Sequence, residues 1–175
     1  MKNQKKGFTL VELIITVIIV GVLSLVSVPI YRYNIEKARF TEAISMLRAI
    51  ADANTMYYIE HGVWCKDIRD LDVKIDGVEI LENGYHRIKN DNFIYACIGD
   101  SNDDTIATVN RAPYHKRYWI SLRAVTGRYG DTPQLGNYGL AGDVYPGSEH
   151  QEFDKRIIDY YQNKFARRGN YYVPS

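Results

Sequence analysis

From Leu13 to Ile30 the chain runs 18 residues without a charge. That length suits a membrane span better than the core helix of a soluble protein. Nearly all the strong hydrophobicity of the chain is gathered in its first thirty positions. Lys2, Lys5 and Lys6 stand just before the run. The positive-inside rule keeps them in the cytoplasm and places the rest of the chain across the membrane. A secretory signal would carry a small-residue cleavage site after its apolar run. Leu23 to Ile30 offers no A-x-A-like site, and the small residue, Gly7, comes before the run instead.

The segment Lys5-Lys6-Gly7-Phe8-Thr9-Leu10-Val11-Glu12-Leu13 resembles the N-terminal signal of type IV prepilins and type II secretion pseudopilins. The resemblance covers about residues 5 to 60. It implies that a prepilin peptidase in the membrane cuts between Gly7 and Phe8 and methylates the new amine of Phe8. Glu12 is then the fifth residue of the mature chain. A carboxylate inside an apolar span costs on the order of 2.5–3.5 kcal/mol and calls for a partner. The resemblance implies that this partner is the Phe8 amine of a neighbouring subunit, which would fix register during assembly. The bland reading is a Glu that snorkels to the membrane edge.

Gly21 and Pro29 weaken the same run, with Ser24 and Ser27 between them. Pro removes a backbone donor, and Gly lowers helix propensity by about 1 kcal/mol. In pilin filaments the corresponding stretch can unwind. An isolated subunit is expected to keep a continuous helix with a gentle Pro kink.

Beyond Pro29 the pattern turns amphipathic. Ala43, Met46, Leu47, Ile50, Ala53, Asn54 and Tyr57 recur at helical spacing, so one helix is predicted from Thr9 to Glu60, stopped by Gly62. The expected organisation is a leader at 1–7, a membrane or filament-core helix at 8–30, the amphipathic half of the helix at 31–61, and a head at 62–175. The fold class is α+β: a long N-terminal helix on a small antiparallel sheet, with a C-terminal helix. A short helix is expected at 67–71, and strands at 84–89, 93–98, 105–110 and 118–123. The Gly- and Pro-rich stretch from Gly130 to Gly147 reads as an irregular surface loop. Ser148 is a candidate cap for a last helix, with Gln151 in the capping-box position. Phe153, Ile157, Tyr160, Tyr161 and Phe165 are its expected apolar face, and Gly169 its end.

Cys65 and Cys97 are the only cysteines. Outside the cytoplasm disulfides persist. A bridge would close a 33-residue loop and stabilise the head by roughly 3.7 kcal/mol on chain-entropy grounds. The alternative is two free thiols.

No catalytic constellation is visible. His61, His86, His115 and His150 are scattered, and no phosphate loop, nucleophile elbow or zinc signature occurs. No cofactor is expected, with calcium as a weak alternative. Asp100, Asn102 and Asp104 alternate like the start of a calcium loop, but Thr105 and Arg111 stand where its Gly and Glu belong. A formal net charge of +1 does not point to nucleic acid. The pairs Tyr57-Tyr58, Tyr160-Tyr161 and Tyr171-Tyr172, with basic residues nearby, suit packing and interfaces, or a stacking surface for DNA or carbohydrate.

Three readings remain open: a structural subunit of a type IV pilus, a pseudopilin of a type II secretion system, and a minor tip pilin that binds a ligand such as DNA. All imply a single-pass precursor in the inner membrane, later a filament outside the cytoplasm. The implied partners are the peptidase, an assembly platform, and further copies of the chain with related minor pilins.

Overall fold

The computed structural model describes residues 8–82, 84–98, 105–112, 117–124, 138–148 and 150–166. The chain divides into two compact units, residues 1–38 and 39–175.

Helix α1 spans Leu10–His61 without interruption, Pro29 included. Through the apolar segment, hydroxyls of this helix turn inward: Ser24 donates to the Val20 carbonyl at 2.7 Å and Thr16 to that of Leu13 at 2.8 Å. This back-bonding lets polar side chains sit in an apolar segment without an outside partner. The helix ends as expected. Gly62 takes φ +74° and donates its N–H to the Tyr58 carbonyl at 2.8 Å, the left-handed cap that glycine adopts most readily.

In the second unit, α1 buries Phe40, Ala43, Ile44, Leu47, Ile50, Ala51, Asn54 and Thr55. This stripe is turned slightly from the expected one. Met46, Ala53 and Tyr57 lie at its margin, half-buried. A short 3-10 turn follows at Ile68–Asp70, capped by Asp67, whose carboxylate accepts from the Arg69 backbone N–H at 3.0 Å.

Six antiparallel strands then follow in sequence order: β1 Val78–Glu82, β2 Tyr85–Lys89, β3 Phe93–Cys97, β4 Thr105–Arg111, β5 Tyr118–Ala124 and β6 Tyr138–Val144. Such a meander needs only local turns. At one, the Asn90 carboxamide oxygen accepts from the N–H groups of Asn92 at 2.9 Å and Phe93 at 2.7 Å. Pairing aligns Tyr95 with Val109, Cys97 with Ala107, Val109 with Ile120, and Ile120 with Gly142. Side chains alternate along a strand, so Phe93, Tyr95, Cys97, Ala107, Val109, Tyr118, Ile120 and Leu122 share one face. Phe40 of α1 meets that face at Tyr118, with ring centroids 5.5 Å apart.

Helix α2 spans Gln151–Ala166. The Ser148 hydroxyl accepts from the His150 N–H at 3.3 Å, so it caps the turn before the helix rather than the helix itself. Ile157, Ile158 and Tyr161 face inward. Tyr160, expected on that face, is exposed, because the buried stripe runs through Asp154 instead. Tyr161 stacks on Phe40 at 4.6 Å and its hydroxyl meets that of Thr41. Asp154, fully buried, takes two hydrogen bonds from Arg117, at 2.5 and 3.1 Å.

The loop expected over 130–147 is corrected in its second half, where Tyr138–Val144 is β6. Gly142 acts there as a close-approach residue, not a breaker. A Cβ would come within 2.6 Å of Ile120 Cγ2 and 2.8 Å of the Trp119 carbonyl oxygen. Strand β1 is not among the strands expected from the sequence. Its hairpin partner is β2, with Glu82 paired to Tyr85 and Gly84 at φ +79°.

Candidate functional site: the start of the long helix and a buried thiol pair

The first site is the N-terminal turn of α1. Thr9 is the residue before the helix and Glu12 its third residue. Glu12 Oε2 accepts from the Thr9 backbone N–H at 2.9 Å and from the Thr9 hydroxyl at 2.8 Å. In return the Thr9 hydroxyl oxygen accepts from the Glu12 N–H at 3.3 Å. This is a reciprocal capping box, in which two otherwise orphaned donors of the helix start are satisfied. Thr9 is not among the site residues expected from the sequence, although the spacing Thr-x-x-Glu at 9 to 12 is a signal for it. The carboxylate also lies where the helix dipole favours negative charge.

Around this turn the surface is apolar. Every large hydrophobic residue from Phe8 to Ile30 is between 48% and 80% exposed. α1 contains a segment long and apolar enough to cross a membrane, and none of that segment is buried. Gly21 has open space around it. Gly7, the expected cleavage residue, lies outside the described residues, as do the calcium candidates Asp100, Asn102 and Asp104. The residues that follow those candidates, Thr105–Arg111, are strand β4, buried throughout.

The second site lies in the head. Cys65 and Cys97 are thiols whose sulfurs stand 3.9 Å apart, 1% and 0% exposed. The Cys65 thiol donates to the Asp67 carbonyl at 2.9 Å. Burial pushes the pKa of both thiols up, which favours the neutral form. Asn54, fully buried, ties the site together. Its Nδ2 donates to the Ile106 carbonyl at 2.8 Å, and its Oδ1 accepts from the Cys65 N–H at 2.9 Å. The tyrosines within reach are used in packing. Tyr57 stacks on His61 at 4.1 Å and Tyr58 lies 4.5 Å from Trp64. Tyr171 and Tyr172 lie outside the described residues.

A long helix with a bare apolar start, an acid in its first turn and an antiparallel head define a membrane-anchorable α+β protein of pilin-like fold. Residues 2–28 match the prokaryotic N-terminal methylation motif. The chain is 43% identical over 67 residues to the type IV major pilin protein PilE of Neisseria gonorrhoeae, covering 38% of this chain and 40% of that one. It is 42% identical over 64 residues to a fimbrial protein of Neisseria meningitidis serogroup B, covering 37% and 38% of the two chains. It is 31% identical over 83 residues to a fimbrial protein of Moraxella nonliquefaciens, covering 47% and 52%. The matches thus span about two fifths to one half of those relatives' own lengths. No solved structure matches the chain. The chain thus carries the N-terminal methylation motif, and its first third is similar to that of type IV pilins and fimbrial proteins.

Proposed function

We propose that this chain is a structural subunit of a type IV pilus. It enters the inner membrane with Lys2, Lys5 and Lys6 on the cytoplasmic side. A prepilin peptidase removes residues 1–7 and methylates Phe8. The apolar half of α1 then passes from the membrane into the core of a filament built from further copies of the chain and related minor pilins. The observation that carries this reading is the bare apolar segment from Phe8 to Ile30, which needs an apolar surrounding beyond what the described residues give it. A membrane supplies it before assembly, and the same segments of neighbouring subunits supply it afterwards. The pilus is preferred to a secretion pseudopilus because the relatives are named as major pilins and fimbrial proteins.

Mass spectrometry of sheared surface filaments tests the proposal. The expected subunit begins at methylated Phe8 and keeps 168 of the 175 residues. A bulky residue in place of Gly7 should leave uncleaved precursor in the membrane, whereas Gly7→Ala should be partly tolerated. Filaments whose subunits retain the leader would overturn the proposal.

A further inference from the structure

The thiol pair combines good placement with poor access. Cys65 lies just past the end of α1, and Cys97 is the last residue of β3. Asn54 holds the Cys65 backbone, and β4 flanks Cys97 through its pairing with Ala107. The sulfurs are already neighbours at 3.9 Å. Yet an oxidant in solution meets neither, because both residues are buried.

We propose that Cys65 and Cys97 form a folding-gated redox clasp. The bridge closes while the head is still open, and packing then holds the pair in whichever redox state folding left it. The oxidant is a disulfide, of a small thiol or of a thiol oxidoreductase. One cysteine thiolate attacks a sulfur of that disulfide and expels the first thiolate of the oxidant. The second cysteine thiolate attacks the mixed disulfide at the protein sulfur, forms the Sγ–Sγ bond and expels the other. Two electrons pass to the oxidant, and the two protons from the cysteines end on its released thiols. Exchange requires a thiolate and access. Folding withdraws both, since burial also disfavours deprotonation of each cysteine. A closed bridge would tie the end of α1 to β3 and enclose the β1–β2 hairpin within its loop.

Exposure of the head to such an oxidant in the cell rests on the membrane topology proposed above. The gating itself does not, so it is tested on the purified full-length chain in detergent. The reduced chain is given oxidised glutathione either while folded or while refolding from urea, and bridging is followed by thiol alkylation and peptide mapping. The refolding chain should bridge Cys65 to Cys97. The folded chain should do so on the order of 100-fold more slowly, because reaction must wait for local opening. Urea below the unfolding midpoint should accelerate the folded arm. Asn54→Ala, which releases the Cys65 backbone, should accelerate it too while leaving the refolding arm unchanged. Equal rates in the two arms, or a folded-arm rate indifferent to urea, would overturn the gating. Refolded chain that ends with two thiols or two mixed disulfides would overturn the clasp. Neither arm involves leader cleavage or filaments, so the outcome is separable from that of the pilin proposal.

Discussion

Glu12 is already engaged within its own chain, because Thr9 supplies two donors to its carboxylate. The residue therefore carries a local role, the helix cap, and a proposed assembly role, a charge for the Phe8 amine. Substitution separates them. Glu12→Leu removes both. Glu12→Gln keeps the cap, since Gln serves equally at the third helical position, but removes the charge. Thr9→Ala keeps the charge and weakens the cap by about 1 kcal/mol. If charge pairing sets register, both Glu12 variants should give few or no sheared filaments by immunoblot, at normal membrane levels and with normal leader cleavage. Thr9→Ala should still assemble. Wild-type filament yield from Glu12→Gln would reassign the role of Glu12 to the cap. The importance of Glu12 was legible in the sequence because an acid in an apolar segment stands out by composition alone. Its engagement with Thr9 depends on where the helix begins, and one residue of shift would hide it.

At the scale of elements, α2 is fastened to the sheet by a charge. Asp154 is fully buried and held by Arg117, which immediately precedes β5. Removing one partner of such a pair leaves the other charge buried, at a cost of about 3–5 kcal/mol. Asp154→Ala should therefore lower the melting temperature of the head and expose α2 to protease. The double variant Arg117→Met with Asp154→Leu should recover part of the loss, because no buried charge is then left alone. No recovery would show that the pair does more than neutralise itself. The elements themselves were unevenly legible. β3, β4 and β5 announced themselves through β-branched and aromatic runs bounded by turns. β6 did not, because its glycines look like punctuation until Gly142 is seen pressed against Ile120. β1 carries two Glu among its five residues and lies at the sheet edge with Val78 and Leu81 exposed, so its hydrophobic alternation is faint. The Asn83-Gly84 dipeptide was the better signal for its hairpin. That Cys65 and Cys97 are neighbours follows from the fold and not from their spacing: their sulfurs stand 3.9 Å apart, one just past the end of α1 and the other at the end of β3.

For the whole molecule, the distribution of burial decides how the chain behaves in water. No described residue from Phe8 to Ile30 is buried, whereas the second unit, 39–175, holds a continuous core running from Phe40 through the sheet to Tyr161. An apolar surface of this length drives association with detergent, lipid or other copies, because exposed contiguous apolar area is costly in water. The head carries its own stripe of α1 and its own sheet, so its stability should not depend on the apolar segment. A chain that begins at Arg39 should accordingly be soluble without detergent and elute as a monomer from a sizing column. It should unfold cooperatively, whereas the full chain should partition into detergent micelles. Thermal unfolding of the two forms, followed by near-ultraviolet circular dichroism of the tyrosine-rich head, should give the same midpoint within a few degrees. A shortened chain that aggregates, or that melts far below the full-length chain, would mean that the head draws stability from residues that precede Arg39, among them the buried Glu36.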